Sequence, residues 1–277
     1  MISSSNARVS IPDELADKVF TPHRLAAYMF IFIAKGAATH FIDLKEIVLE
    51  GGRLLFVLPH QIHQIRSGVE NDGDWYKLAF DQDCLSLLPQ SFDFLLNPLN
   101  NAVIHLTGPD QTRVKGSFQA VEQILMNKNQ DTAPLLLAHL HALLTELNYC
   151  YFRDLKITKG EHARLSEFLH FRKIIERDFK LQPAIHSIVK ELSTSENKLY
   201  GIVKEFSGVS PKEFLMQRII LEAQRILFYE SSSSKEVAFE LGFSDPDYFS
   251  RLFKKSTGKR VSQFLMELKD LSGKKMD

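Results

Sequence analysis

Cysteine is nearly absent from this chain. Only Cys84 and Cys150 occur in 277 residues, so no disulfide framework is implied, and a reducing cytoplasm is the expected setting. No apolar run reaches about 18 residues, which argues against a membrane-spanning helix. The first twenty residues lack a basic start followed by an apolar core, so no secretory leader is expected. An overall charge excess is missing too: 34 Lys and Arg balance 34 Asp and Glu. Phosphate-loop, zinc-finger and nucleophile motifs are not found.

What remains is a chain of two characters. Its length favours two domains over one. A hydrophobic share of 44% with 25% charged residues suits packed domains rather than disorder. Residues 160–277 carry 20 Lys and Arg against 17 Asp and Glu, so a small positive excess gathers at the back. That asymmetry leans toward a nucleic-acid partner without establishing one.

The front reads as strands. "YMFIFI" (28–33), "THFIDLKEIVLE" (39–50), "RLLFVLP" (53–59) and "WYKLAF" (75–80) are rich in β-branched and aromatic residues. Gly36, Gly51-Gly52 and Pro59 punctuate them, which predicts antiparallel strands closing into a small β-barrel or sandwich. Phe30, Phe32, Phe41 and Phe56 would line a pocket or fill a core, and the filled core is the expectation. After about residue 110 the period becomes helical, with Leu136, Leu140, Leu143, Leu144 and Leu147 at spacings of three and four. The polar stretch 153–163 reads as a linker.

From His162 onward the pattern is helical and duplicated. "LYGIVKEFSGVSPKEF" (199–214) aligns with "FSRLFKKSTGKRVSQF" (249–264), pairing Ile202 with Leu252, Lys204 with Lys254, Gly208 with Gly258 and Phe214 with Phe264. In the second copy a short helix beginning near Ser234 presents Val237, Ala238 and Leu241 on one face. Gly242 then suits a left-handed turn, Ser244 is expected to cap the next helix with Asp247 as its box partner, and Pro246 fits the first turn. Phe249, Leu252 and Phe253 face inward, leaving Tyr248, Ser250, Arg251, Lys254 and Lys255 outside. A short helix, a tight turn and a second helix with a basic outer face make a helix-turn-helix. Two such units joined by a helix over 214–230 would present reading helices to successive major grooves.

"SKEVAFELGFSDPDYFSRLFKKSTGKRVSQF" and "SENKLYGIVKEFSGVSPKEFLMQRIILEAQRIL" together resemble the C-terminal module of AraC/XylS-type transcription regulators. The resemblance implies that Glu196, Asn197, Tyr200, Gly201 and Lys204 face DNA from the first half. Asp247, Tyr248, Ser250, Arg251, Lys254 and Lys255 would face it from the second, with Ser195 and Ser244 as helix caps. Two departures stand out. Gly201 occupies the position of Arg251 and supplies no base contact, and Ser193 occupies the position of Gly242. "KGAATHFIDLKEIVLEGGRLLFVLPHQIHQI" resembles, over a shorter stretch, the cupin-like sensor domain that precedes such modules.

The resemblance therefore implies an α+β, two-domain regulator. Its parts would be an N-terminal arm (1–21), a cupin-like β-barrel sensor (22–109), a helical dimerisation region (110–155), a linker (156–161) and a tandem helix-turn-helix domain (162–277). It implies double-stranded promoter DNA as partner, a small-molecule effector, RNA polymerase as a further contact and a homodimer, with Leu136, Leu140, Leu143 and Leu147 either forming its seam or simply packing on the barrel. It implies activation as the commoner outcome, with no cofactor and no enzymatic activity.

The rival reading is a metal-dependent cupin enzyme with an accessory DNA-binding tail, prompted by His40, His60 and His63. "PHQIHQ" lacks the His-x-His-x-x-x-Glu spacing such sites generally show. Strand alternation would also send His60 and His63 to opposite faces, so polar histidines at a barrel mouth are expected instead. His139 and His141, two apart on a helix, share no face.

Overall fold

Alternation along the strands decides which way each side chain faces, and two sheets result. The computed structural model describes residues 2–6, 22–24, 26–43, 45–65, 73–97, 101–126, 132–153, 159–229 and 232–271. The chain divides into two units, Met1–Lys156 and Ile157–Asp277.

The first unit holds β1 (Ile2–Asn6), β2 (His23–Arg24), β3 (Tyr28–Lys35), β4 (Ala37–Ile42), β5 (Lys45–Glu50), β6 (Arg53–Val57), β7 (Ile62–Ile65), β8 (Asp74–Phe80) and β9 (Val103–His105). One sheet runs β1-β8-β3-β6-β9 and the other β2-β7-β4-β5, antiparallel at each pairing. The expected barrel is thus corrected: among the described residues the two ladders do not join into a closed cylinder. Glycine marks where the chain leaves one sheet for the other. Gly36 (φ 96°) lies between β3 and β4, and Gly52 (φ 82°) between β5 and β6, both in left-handed backbone that a side chain resists.

Phe30, Phe32, Phe56, Tyr76, Leu78 and Phe80 point from the first sheet toward the helices α2 (Gly108–Met126) and α3 (Ala133–Arg153); a short helix, α1 (Gln82–Ser86), precedes them. They meet Val114, Phe118 and Val121 of α2 and Leu140, Leu143, Leu144 and Leu147 of α3 in one core. The opposite face of that sheet, with Met29, Ile31, Ile33, Leu55 and Val57, packs on Ala38, Ile42 and Leu49 of the second sheet. Phe30, Phe32 and Phe56 therefore fill a core beneath helices rather than line a space between the sheets. Phe41 is only partly buried.

Three further expectations are revised. Leu140, Leu143 and Leu147 are fully buried within their own unit, and Leu136 packs at its edge, so they form no seam for a partner chain. A one-sided leucine stripe can be buried once, and the sheet takes it; each such leucine contributes about 1.5–3 kcal/mol there. Ile2–Asn6 is no free arm but a strand paired with β8, while residues 7–21 lie outside the described residues. The linker at 156–161 is half helix, because α4 begins at Lys159; residues 154–158 lie outside the described residues.

The second unit is helical: α4 (Lys159–Asp178), α5 (Ile185–Glu191), α6 (Glu196–Ser207), α7 (Pro211–Tyr229), α8 (Ser234–Glu240), α9 (Pro246–Thr257) and α10 (Val261–Leu271). Apolar Phe214, Leu215, Ile219, Ile220, Ala223, Ile226 and Leu227 make α7 the spine. Arg218 ties it to α4, donating to Glu176 at 2.8 Å and to Glu222 at 3.1 Å with its guanidinium 3.9 Å from the Phe179 ring centre.

Candidate nucleic-acid interface

The duplication in the sequence extends to individual hydrogen bonds. Gly208 (φ 76°) and Gly258 (φ 77°) end α6 and α9, each donating its N–H over 2.9 Å to the carbonyl of Lys204 or Lys254. Ser207 Oγ donates to the Val203 carbonyl, as Thr257 Oγ1 does to that of Phe253. At the start of α7, Ser210 and Glu213 form a reciprocal capping box.

In the second unit, Ser233 and Glu236 make a full capping box for α8. The chain then turns at Gly242 (φ 81°), where a Cβ would stand 2.5 Å from the Lys180 carbonyl oxygen. Glycine is required there on both conformational and steric grounds. The next cap differs from expectation. Asp245, not Ser244, is the N-cap of α9, its side chain accepting from the Asp247 N–H at 2.9 Å. Pro246 takes the first helical position, so the residue directly before it must be the cap.

Phe249 and Phe253 anchor α9 inside, and Phe243 packs on Phe249. Asp247, Tyr248, Arg251, Lys254 and Lys255 are exposed, and Arg251 keeps 69% of its side chain free beside Asp245. Ser250 is half-buried, its hydroxyl 3.5 Å from that of Ser234. It lies at the edge of the outer face rather than on it.

The first helix-turn-helix repeats the design with weaker parts. Ser195 is the N-cap of α6, accepting from the Lys198 N–H. Ser193 adopts φ 49° where its counterpart is Gly242, a left-handed residue carrying a side chain. Leu199, Ile202 and Val203 are buried, while Glu196, Asn197, Tyr200, Gly201 and Lys204 are exposed. Lys204 Nζ stands 5.7 Å from the Tyr200 ring centre. Both copies thus present an exposed helix with lysine in its last turn, where the negative end of the helix dipole favours a cation.

The histidines group differently from expectation. His60 sits in a turn (φ 67°). His40 and His63 share the inner face of the second sheet, with His40 Nδ1 3.0 Å from His63 Nε2, and His63 Nδ1 is 3.4 Å from His23 Nε2. His23, missed in the sequence, reaches the group only through the β2–β7 register. Burial, with Lys77 adding to it, pushes His40 down to about 4; burial also depresses His63, reinforced by His40, His23 and Lys77. The three rings form a chain, in which burial favours the neutral imidazole at His40 and His63.

One group of three candidate metal ligands converges among the described residues: Asp110, Glu146 and Cys150. Arginines already occupy it. Arg113 pairs with both carboxylates and Arg153 with Asp110, so the local charge is answered by guanidinium groups rather than a metal ion. Neither group supports the metal-enzyme reading.

Residues 188–267 match a family model described as a helix-turn-helix domain, and residues 11–144 match an AraC-like ligand binding domain. The chain is similar to the HTH-type transcriptional activator RhaS of Citrobacter koseri, 24% identical over 265 residues, covering 91% of this chain and 90% of that protein. RhaS of Escherichia coli O139:H28 is 24% identical over 267 residues with the same coverage. Among solved structures, ToxT from Vibrio cholerae with a bound unsaturated fatty acid aligns at 16% identity and a TM-score of 0.45, over 93% of this chain and 92% of that one.

Proposed function

The chain belongs to the AraC family of transcription regulators, and we propose that it reads promoter DNA through α6 and α9 together. In this reading α7 is the spacer that sets the two helices for successive major grooves, about 34 Å apart. Asn197, Tyr200 and Lys204 meet one groove, and Tyr248, Arg251, Lys254 and Lys255 the next. Arg251 reads a base edge, and the lysines in the last helical turns meet phosphate. Glu196 and Asp247 lie in the first turns, where the helix dipole favours acid. The observation that carries the reading is the matched pair of capped helices with cations on their exposed faces.

The first unit takes a small-molecule effector in this account, and the protein acts in the cytoplasm as an activator through RNA polymerase. Pairing of two copies falls to the other face of α3. Leu135, Ala138, Ala142 and Tyr149 recur there at spacings of three, four and seven, all exposed and none charged. Selection of bound fragments from random duplexes, with and without metabolite extract, tests the DNA and effector readings. Recovery of no preferred sequence contradicts the first, and an unchanged profile contradicts the second.

A further inference from the structure

The first reading helix has a gap in the middle of its outer face. With Leu199, Ile202 and Val203 inside, helical geometry sets Asn197, Gly201 and Lys204 opposite them. Gly201 offers no side chain where α9 carries Arg251. A neighbouring helix fills the space. Arg164 of α4 lies with its guanidinium Nη2 4.0 Å from where a Cβ on Gly201 would stand. Glu205 of α6 holds it, its Oε2 accepting from Arg164 Nε at 2.9 Å and from Nη2 as well. Hydrogen bonding to that carboxylate raises the guanidinium pKa further, so the group is a permanent cation.

The clamp is one-sided. Glu205 takes the Nε side of the planar group and leaves its Nη1–Nη2 edge, with 40% of the side chain exposed. That edge is the fork that meets guanine N7 and O6 in paired hydrogen bonds. The same two helices carry a close comparator, a bridge of 2.6 Å between Lys198 and Glu167.

We propose that Arg164 is a specificity-determining residue of the first half-site, supplying from α4 the base-reading guanidinium that Gly201 omits from α6. Glu205 is its positioning residue. The proposal rests on α6 meeting DNA, and the test separates the two.

Affinity of the full chain for its selected duplex, and for single-base variants of it, is measured for Arg164→Ala, Arg164→Lys, Glu167→Gln and Arg251→Ala. Melting temperature confirms folding of each. Arg164→Ala is expected to weaken binding by about tenfold and to relax preference at one base pair in the half-site distant from that of Arg251. Arg164→Lys keeps the charge but not the fork, so it relaxes the same preference with a smaller loss of affinity. Gly201→Arg added to Arg164→Ala recovers part of the loss. Glu167→Gln, which breaks the comparator bridge, leaves preference unchanged. If Arg164→Ala and Arg164→Lys keep the parent's sequence preference while Arg251→Ala loses it, Arg164 is an ordinary interhelix ion pair and the proposal fails alone. If Arg251→Ala also changes nothing, the DNA-reading assignment fails with it.

Discussion

Gly208 and Gly258, fifty residues apart, close their helices in the same way, with φ of 76° and 77° and a 2.9 Å hydrogen bond to a lysine carbonyl four residues back. The lysine whose carbonyl accepts that bond also belongs to the exposed face of its helix. Capping and charge placement are therefore one local arrangement, copied twice.

The two turn glycines of the second helix-turn-helix should differ in what they tolerate. Nothing lies within 4 Å of a Cβ added at Gly258, so Gly258→Ala costs only the left-handed penalty, about 1–2 kcal/mol. Gly242→Ala should cost clearly more, because its Cβ would stand 2.5 Å from the Lys180 carbonyl oxygen. Denaturant unfolding of the two variants gives the comparison, and equal losses would contradict it.

Ser193 holds φ 49° without the freedom of glycine. Ser193→Gly should stabilise the helical unit by up to about 1 kcal/mol, the relief of strain exceeding the added entropy of the unfolded chain. The unfolding midpoint rises if so; a fall would mean that the serine side chain contributes a contact of its own.

The α3 leucines and the outer face of that helix should respond differently. Leu143→Ala is expected to destabilise the first unit by about 2–5 kcal/mol, as buried leucine truncation does. On the pairing proposed above, Ala142→Glu, on the exposed face, should leave the melting temperature nearly unchanged and convert the proposed dimer to monomers in sedimentation. Dimers that survive Ala142→Glu would move the interface off α3.

Acid should weaken the first unit through its histidine chain. His40 and His63 have folded pKa values below their unfolded value of about 6.5, His40 at about 4. A depressed folded value means the unfolded chain binds protons first. Stability is then complete above about pH 6.5 and is lost as pH falls toward 4, by on the order of 3 kcal/mol for His40 alone. His40→Gln with His63→Gln should flatten the dependence between pH 6.5 and 4; an unchanged slope would assign the acid loss to other groups.

The tandem module was legible in the sequence because its signals are local: a buried triplet per helix, a glycine after it and a cap before it. One cap lies a single position from where the sequence suggests it, since Ser244 and Asp245 are both capping types and Pro246 selects the nearer. Strands were legible from alternation, but closure is not local, and no run of residues announces that β4 and β5 leave the sheet of β3 and β6. The leucines of α3 declared a buried face without declaring what buries it. His23, His40 and His63 became neighbours through strand register alone. Arg164 gave no signal in the sequence, because its partner there is the absence of a side chain at 201.

The central claim is that α6 and α9 engage one duplex as two reading heads at fixed spacing. Footprinting of the full chain on its selected duplex, and on the same duplex with five base pairs inserted at its centre, tests that directly. Two protected segments centred about 10–10.5 base pairs apart are expected, with the insertion turning one half-site to the far side of the duplex and abolishing the paired footprint. A single protected segment, or equal affinity for the two duplexes, would contradict it.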